Sequence, residues 1–156
     1  MKQFNAVIGG AGFVGSRLAD VFERLCVDYR LFDIKAKFNH SDITYLDVED
    51  VNSLDSLNGS SCFINLAAVH KDDVRPISRY DDVNVQGAIN LFNQARKLDV
   101  KKIIFTSSVA VYGSAPVNTD ESGAINFSND YGRTKYEAEK VYKAWQSEDP
   151  EGRLLV

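Results

Sequence analysis

Cysteine, methionine and proline are scarce in this chain, at two, one and three residues in 156. Cys26 and Cys62 fall at a helix end and in an apolar strand, which excludes a disulfide framework or a thiolate metal set. They read as buried thiols of a reducing compartment. His40 and His70 lie far apart without partners at metal-ligand spacing, so both read as surface or turn residues and no metal is expected. Positive charge is also short: 18 Lys and Arg against 22 Asp and Glu give a net charge of −4. That balance argues against a nucleic-acid partner and against an anionic membrane surface. No run of 18 apolar residues occurs, so no membrane span is expected. The N-terminus has no basic region followed by an apolar stretch, hence no signal peptide, and a cytoplasmic location is expected. Repeats and low-complexity segments are absent. What remains, 44% hydrophobic and 26% charged residues, is the make-up of an ordinary globular domain. Its length suffices for one domain, residues 1–156, with a sizeable core.

Against this background one stretch stands out, Val7-Ile8-Gly9-Gly10-Ala11-Gly12-Phe13-Val14-Gly15-Ser16. It starts as an apolar strand (4–8) and ends in an amphipathic helix (13–25). That helix sets Val14, Leu18, Val21, Phe22 and Leu25 on one face. A strand, glycine turn and helix bring bare N–H groups to a phosphate at a helix N-terminus. Gly9 permits the tight turn, Gly12 removes a side chain where a pyrophosphate must come close, and Gly15 lets the helix pack near the strand. A second apolar run, 29–33, ends in Asp33, 24 residues after Gly9. A carboxylate there accepts from both hydroxyls of an adenosine ribose and repels a 2′-phosphate. That favours NAD over NADP. Lys35 and Lys37 follow closely and would partly offset the repulsion.

The rest of the chain alternates. Short strands are expected at 43–46, 62–66 and 101–106, and a further one begins at 153. A short helix is expected over 50–57, with an acidic first turn that suits the helix dipole. The polar stretch 71–82, with Arg75, Pro76 and Arg79, reads as a long loop or broken helix, either simply solvated or, at this end of the sheet, facing the ligand. A clear helix follows over 84–98, with Val85, Ala88, Ile89, Phe92 and Ala95 as its stripe. Residues 114–129, rich in Ser, Asn, Gly and Pro, read as a loop over the ligand crevice. The last helix, 130–145, sets Ala138, Val141, Tyr142 and Trp145 on one face. Strands alternating with helices imply an α/β fold with a doubly wound parallel sheet. Ligands then bind beyond the carboxyl ends of the strands, where Gly9–Gly15, Asp33, Ala67-Ala68 and Ser107-Ser108 all fall.

The chemical signal is Tyr131-Gly132-Arg133-Thr134-Lys135. Residues at i and i+4 share a helix face. A free tyrosine, at about 10, is too weak an acid to serve as a base near neutrality. A neighbouring ammonium favours the phenolate and makes Tyr131 a candidate general acid/base. Ser108, 23 residues earlier, would hydrogen-bond the same substrate oxygen.

These pieces resemble the extended short-chain dehydrogenases/reductases, specifically the NAD-dependent epimerase/dehydratase family. The matching motifs are Gly9-Gly10-Ala11-Gly12-Phe13-Val14-Gly15, Asp33, Asp47-Val48, Leu66-Ala67-Ala68, Asn84-Val85-Gln86-Gly87, Ser107 to Gly113 and Tyr131-x-x-x-Lys135. They run in family order over nearly the whole chain. The resemblance implies a Rossmann fold, NAD as cofactor, and Ser108, Tyr131 and Lys135 as catalytic residues. It implies cofactor contacts from Gly9, Gly12, Phe13, Val14, Gly15, Asp33, Leu66, Ala67, Ala68, Ser107, Tyr131 and Lys135, the last on the nicotinamide ribose. Asp47 and Val48 would flank the adenine. Asn84 would help order the site, or cap its helix, or both.

Two departures bear on activity. Dehydratases of the family carry an Asp-Glu pair after the catalytic Ser or Thr, where this chain has Val109 and Ala110. That leaves epimerisation or simple oxidation and reduction. Members are also about twice this long, so a C-terminal substrate domain is expected to be missing. The leading expectation is a nucleotide-sugar 4-epimerase working through a keto intermediate on a UDP- or dTDP-linked sugar. The rivals are a reductase or dehydrogenase of a nucleotide sugar or small carbonyl compound, and an NAD-binding module without catalysis of its own. The resemblance further implies a homodimer paired through the helices 84–98 and 130–145. Phe92, Tyr142 and Trp145 are then either contact residues or ordinary core.

Overall fold

The computed structural model describes residues 3–37 and 42–156; His40 and the side chain of Lys37 lie outside what it describes. Six parallel strands form one sheet in the order β3-β2-β1-β4-β5-β6. They are β1 (Phe4–Ile8), β2 (Tyr29–Asp33), β3 (Ile43–Tyr45), β4 (Ser60–Asn65), β5 (Lys102–Phe105) and β6 (Leu154–Leu155). The order reverses between β1 and β4, and at such a switch point the crossover helices leave on opposite faces and a crevice opens.

Alternation along β1 sets the two layers. Phe4, Ala6 and Ile8 point into a core completed by Phe32, Phe63, Leu91, Ile103, Tyr142 and Trp145. Val7 points the other way, against Cys62, Ile64, Leu18 and Phe22. Helix α1 (Phe13–Arg24) therefore covers one face. Helices α3 (Gly87–Lys97) and α4 (Asp130–Ser147) cover the other.

Several expectations need correction. The buried residues of α1 are Gly15 and Ala19, while Val14 and Leu25 are exposed. Leu18 and Phe22 alone carry the stripe onto the sheet, because the helix starts over the crevice and ends beyond the strand. The helix expected over 50–57 is only a 3-10 turn, Ser53–Leu57. The Ser53 hydroxyl bonds the carbonyls of Asp47 and Asp50, which competes with helical pairing.

The helix expected from 84 begins at 78. A single turn, α2 (Ser78–Tyr80), runs through a π-helical segment, Asp81–Gln86, into α3. Asn84 is thus inside the helix and caps nothing. The stripe also missed polar core residues. Asn90 donates to the Val48 carbonyl at 2.8 Å and Gln94 to the Leu54 carbonyl at 2.9 Å, and both are buried. Cys26 is exposed at a left-handed turn, not buried. Tyr142 and Trp145 are fully buried, which settles them as core. Among the described residues no helix is long and apolar enough to cross a membrane.

Candidate active site

A crevice of about 560 Å³ opens at the carboxyl ends of the strands. Its floor is the turn between β1 and α1. Gly9 turns with φ +84°, and the N–H groups of Gly9 and Gly10 both donate to the Phe32 carbonyl, at 2.8 and 2.9 Å. A Cβ on Gly9 would lie 2.8 Å from the Ala67 nitrogen, and one on Gly15 would lie 2.6 Å from Gly10. Packing within the protein therefore requires both glycines. Gly12 differs: its Cβ would meet only the Gly9 carbonyl, at 3.2 Å, and would otherwise enter the crevice. No side chain caps α1, and no acidic residue occupies its first turn. The positive end of the helix is left for an anion.

Asp33, at the tip of β2, is 9% exposed. Its Oδ2 accepts from the Ala11 N–H at 3.0 Å and its Oδ1 from the Lys35 N–H at 2.9 Å. The carboxylate thus clamps the glycine turn from the side, a duty the motif alone did not show. Each oxygen keeps a lone pair for a further donor.

Beyond β2 the wall is Leu46, Asp47, Val48 and Glu49, faced by Arg79 and Val83. Asp47 Oδ1 accepts from the Glu49 N–H at 3.0 Å. Arg79 donates to both oxygens of Glu49, at 2.5 and 2.8 Å. On the near side, Leu66, Ala67, Ala68, Val69 and His70 follow β4 along the crevice. Asn65 orders that stretch: its Oδ1 accepts from the Ala67 N–H at 3.1 Å, and its amide donates to the Tyr142 hydroxyl at 2.7 Å.

The far end holds the titratable pair. Tyr131 and Lys135 both line the crevice from consecutive turns of α4. Asn129 caps that helix, its side chain accepting from the Gly132 N–H at 2.8 Å. Lys135 is 2% exposed, and its ammonium sits 4.1 Å from the centre of the Phe105 ring. Burial lowers it to about 8, against a smaller upward pull from Glu139. The Thr106 and Ser107 side of this end follows β5, and Ser107 donates to Glu139 at 2.5 Å.

Two expected site residues are not among those lining the crevice: Ser108, next to the lining residue Ser107, and Asn84. Ser108 accepts from the Ala110 N–H at 3.2 Å and so caps a 3-10 turn, Val109–Tyr112. Asn84 is buried behind the wall. It pairs with both backbone groups of Val69, at 2.8 and 3.0 Å, and donates to Thr134 at 2.9 Å. It therefore joins the loop after β4 to α4 beside Tyr131. Residues 114–129 do not line the crevice; they pack on α4 and the 3-10 turn, with Asn126 N–H donating to the Val111 carbonyl at 3.0 Å. The other expected residues line one continuous crevice. Arg79 comes from the polar stretch 71–82 and faces the crevice, one of the two readings given for that stretch, whereas Glu49, Val83, His70 and Thr106 were not anticipated there, and only the tertiary fold brings Glu49, Arg79 and Val83 together. Among the described residues no cluster of His, Cys, Asp or Glu could hold a metal.

The sheet order, the glycine turn and the crevice at the switch point define a Rossmann-type α/β domain. The chain belongs to the NAD dependent epimerase/dehydratase family, whose model matches residues 6–152. It is 42% identical, over 96% of its length and 46% of the relative's, to an Escherichia coli O157:H7 protein. That relative is named N-acetyl-alpha-D-glucosaminyl-diphospho-ditrans,octacis-undecaprenol 4-epimerase. It is 32% identical to a sterol-4-alpha-carboxylate 3-dehydrogenase, decarboxylating, from Candida albicans, covering 86% of this chain and 44% of that one. Among solved structures it resembles UDP-glucose 4-epimerase from Brucella ovis in complex with NAD. There the TM-score is 0.83 at 26% identity, over 98% of this chain and 50% of that one. The chain spans about half the length of the curated relatives it matches.

Proposed function

We propose that this chain provides the NAD-binding and acid–base part of a sugar 4-epimerase. The observation that carries the reading is one crevice with a bare helix N-terminus at its floor, Asp33 on one side and Tyr131 with Lys135 at the far end. The residues fit the cofactor. The open space over Gly12 and the uncapped α1 suit a pyrophosphate, and the buried Asp33 carboxylate suits a ribose diol.

Bound NAD supplies a hydride acceptor and donor for the sugar carbon. The chain handles the proton. Tyr131 takes the proton of the sugar hydroxyl as its carbon is oxidised and returns it when the keto group is reduced on the opposite face. Lys135, one helical turn on and lining the same crevice, places a cationic side chain at the end where the proton moves. Ser108, by the family resemblance, bridges to the same oxygen; its hydroxyl hydrogen is not used by the bond from Ala110. Val109 and Ala110 offer no group for water elimination, which argues against dehydration.

The sugar carries a diphosphate in both readings of the substrate. A UDP- or dTDP-linked sugar accords with the Brucella epimerase. The name of the Escherichia coli relative favours a polyprenyl-diphosphate carrier instead. The Candida relative supports a third reading, net oxidation or reduction, which would change NADH absorbance stoichiometrically where epimerisation would not.

The test is thermal unfolding of the chain with NAD, with NADP and with neither, followed by conversion of UDP-linked and undecaprenyl-diphosphate-linked N-acetylglucosamine. A midpoint raised by NAD but not NADP is expected. An unchanged midpoint with both removes the NAD reading from this chain.

A further inference from the structure

The crevice has an end without proton-transfer chemistry, and one residue pair there has no part in the reading above. Glu49, in the loop four residues past β3, and Arg79, in the middle of α2, face each other. Both nitrogens of the guanidinium fork engage both carboxylate oxygens, at 2.5 and 2.8 Å. A bidentate pair fixes the guanidinium plane as well as its position. The Arg79 side chain is nonetheless 39% exposed, so the pair is not core. It lines the crevice together with the apolar side chains of Val48 and Val83.

A dinucleotide centred on the α1 N-terminus has two arms. The arm that meets Tyr131 and Lys135 suits a redox ring. The other passes Asp33 and runs past β2 to β3, toward apolar side chains and a flat cation. Fixed guanidinium planes stack on aromatic bases, and a purine offers the largest such face. Asp47 adds an acceptor for an exocyclic amino group, since its Oδ1 takes the Glu49 N–H while Oδ2 faces no partner among the described residues.

We propose that Arg79, held flat by Glu49, is a purine-stacking wall that sets the affinity of this chain for the adenine half of its cofactor. The proposal rests on the NAD reading and goes beyond it in assigning a specificity residue.

Isothermal titration of NAD and of ADP-ribose into the chain tests it, with Arg79→Ala, Arg79→Lys and the unmodified protein side by side. Saturation-transfer NMR with nicotinamide mononucleotide, which lacks the adenosine, is the control. Arg79→Ala is expected to weaken NAD and ADP-ribose about tenfold and to leave the mononucleotide unchanged. Arg79→Lys keeps the charge and loses the plane, so it is expected to fall almost as far. Equal affinity of NAD for all three proteins overturns the proposal while leaving the NAD reading intact. Full retention by Arg79→Lys also overturns it, because charge alone would then suffice. Equal weakening of the mononucleotide would mean a general collapse of the crevice and overturns it too. If the unmodified chain binds neither NAD nor ADP-ribose, the NAD reading itself fails and this proposal fails with it.

Discussion

Lys135 shows how a single side chain can be placed against its own solvation. Its folded value of about 8 lies below the ordinary 10.5, a difference worth about 3 kcal/mol. The unfolded chain binds the extra proton between those two values. Stability from this group therefore rises with pH from about 8 to 10.5, and the penalty is full below 8. Replacing Lys135 by Met is expected to stabilise the free chain at pH 7 by about 1–3 kcal/mol, since the contact with Phe105 offsets part of the penalty. The gap between variant and parent should shrink by pH 10, as read from urea unfolding at both values. Tyr131→Phe is a separate matter. It should leave NAD binding unchanged and lower turnover by a factor of at least about 100, measured on any sugar the active protein converts. The cysteines give a third check. Burial pushes the Cys62 thiol up to about 11, whereas Cys26 is exposed. One thiol per native chain should react with a disulfide reagent, and two after denaturation.

At the scale of elements, α4 is the part whose placement matters most. It seats its first turns on the 3-10 turn after β5, where a Cβ on Gly132 would lie 2.3 Å from the Ala110 carbonyl. Helix propensity alone would make Gly132→Ala stabilising by at most about 1 kcal/mol. The clash is with backbone and should win, giving a net loss of about 1–3 kcal/mol in chemical unfolding. The π-helical segment Asp81–Gln86 holds α4 from the other side. Arg133 donates to both oxygens of Asp81, at 2.9 and 2.7 Å, while Asn84 reaches Thr134. This segment marks the limit of reading the chain by period. A 3.6-residue stripe finds Ala88 and Ala95, but it cannot find Asn84, Asn90 and Gln94, whose burial depends on carbonyls and hydroxyls from distant parts of the sequence. The stripe therefore started the helix at 84, six residues late. Parallel strands were easier, because a strand covered on both faces is a short continuous apolar run. Ser60–Asn65 and Lys102–Phe105 were seen within two residues of their ends.

For the whole molecule, the glycine turn, Asp33 and the Tyr-Lys pair were legible because each is a local signature at fixed spacing. The Glu49–Arg79 pair was not, since its members are 30 residues apart and meet only when β3 and β4 lie in one sheet. The same sheet makes ligand binding a property of the entire fold. NAD at 100 times its dissociation constant should add about 2.7 kcal/mol. For a domain of this size that is roughly 5–10 °C in the unfolding midpoint.

The position of β1 at the centre of the sheet has a consequence for synthesis. The phosphate-binding turn leaves the ribosome more than 50 residues ahead of its wall after β4 and 120 residues ahead of Lys135. At roughly 5–20 residues per second, the nascent chain carries an incomplete crevice for about 6–24 s. Until β4 emerges, in the first half of that interval, β1 can pair with β2 but not with β4, its other neighbour. NAD should protect ribosome-bound chains from protease only when α4 has emerged, so the cofactor acts as a reporter of a completed crevice rather than as a template for folding.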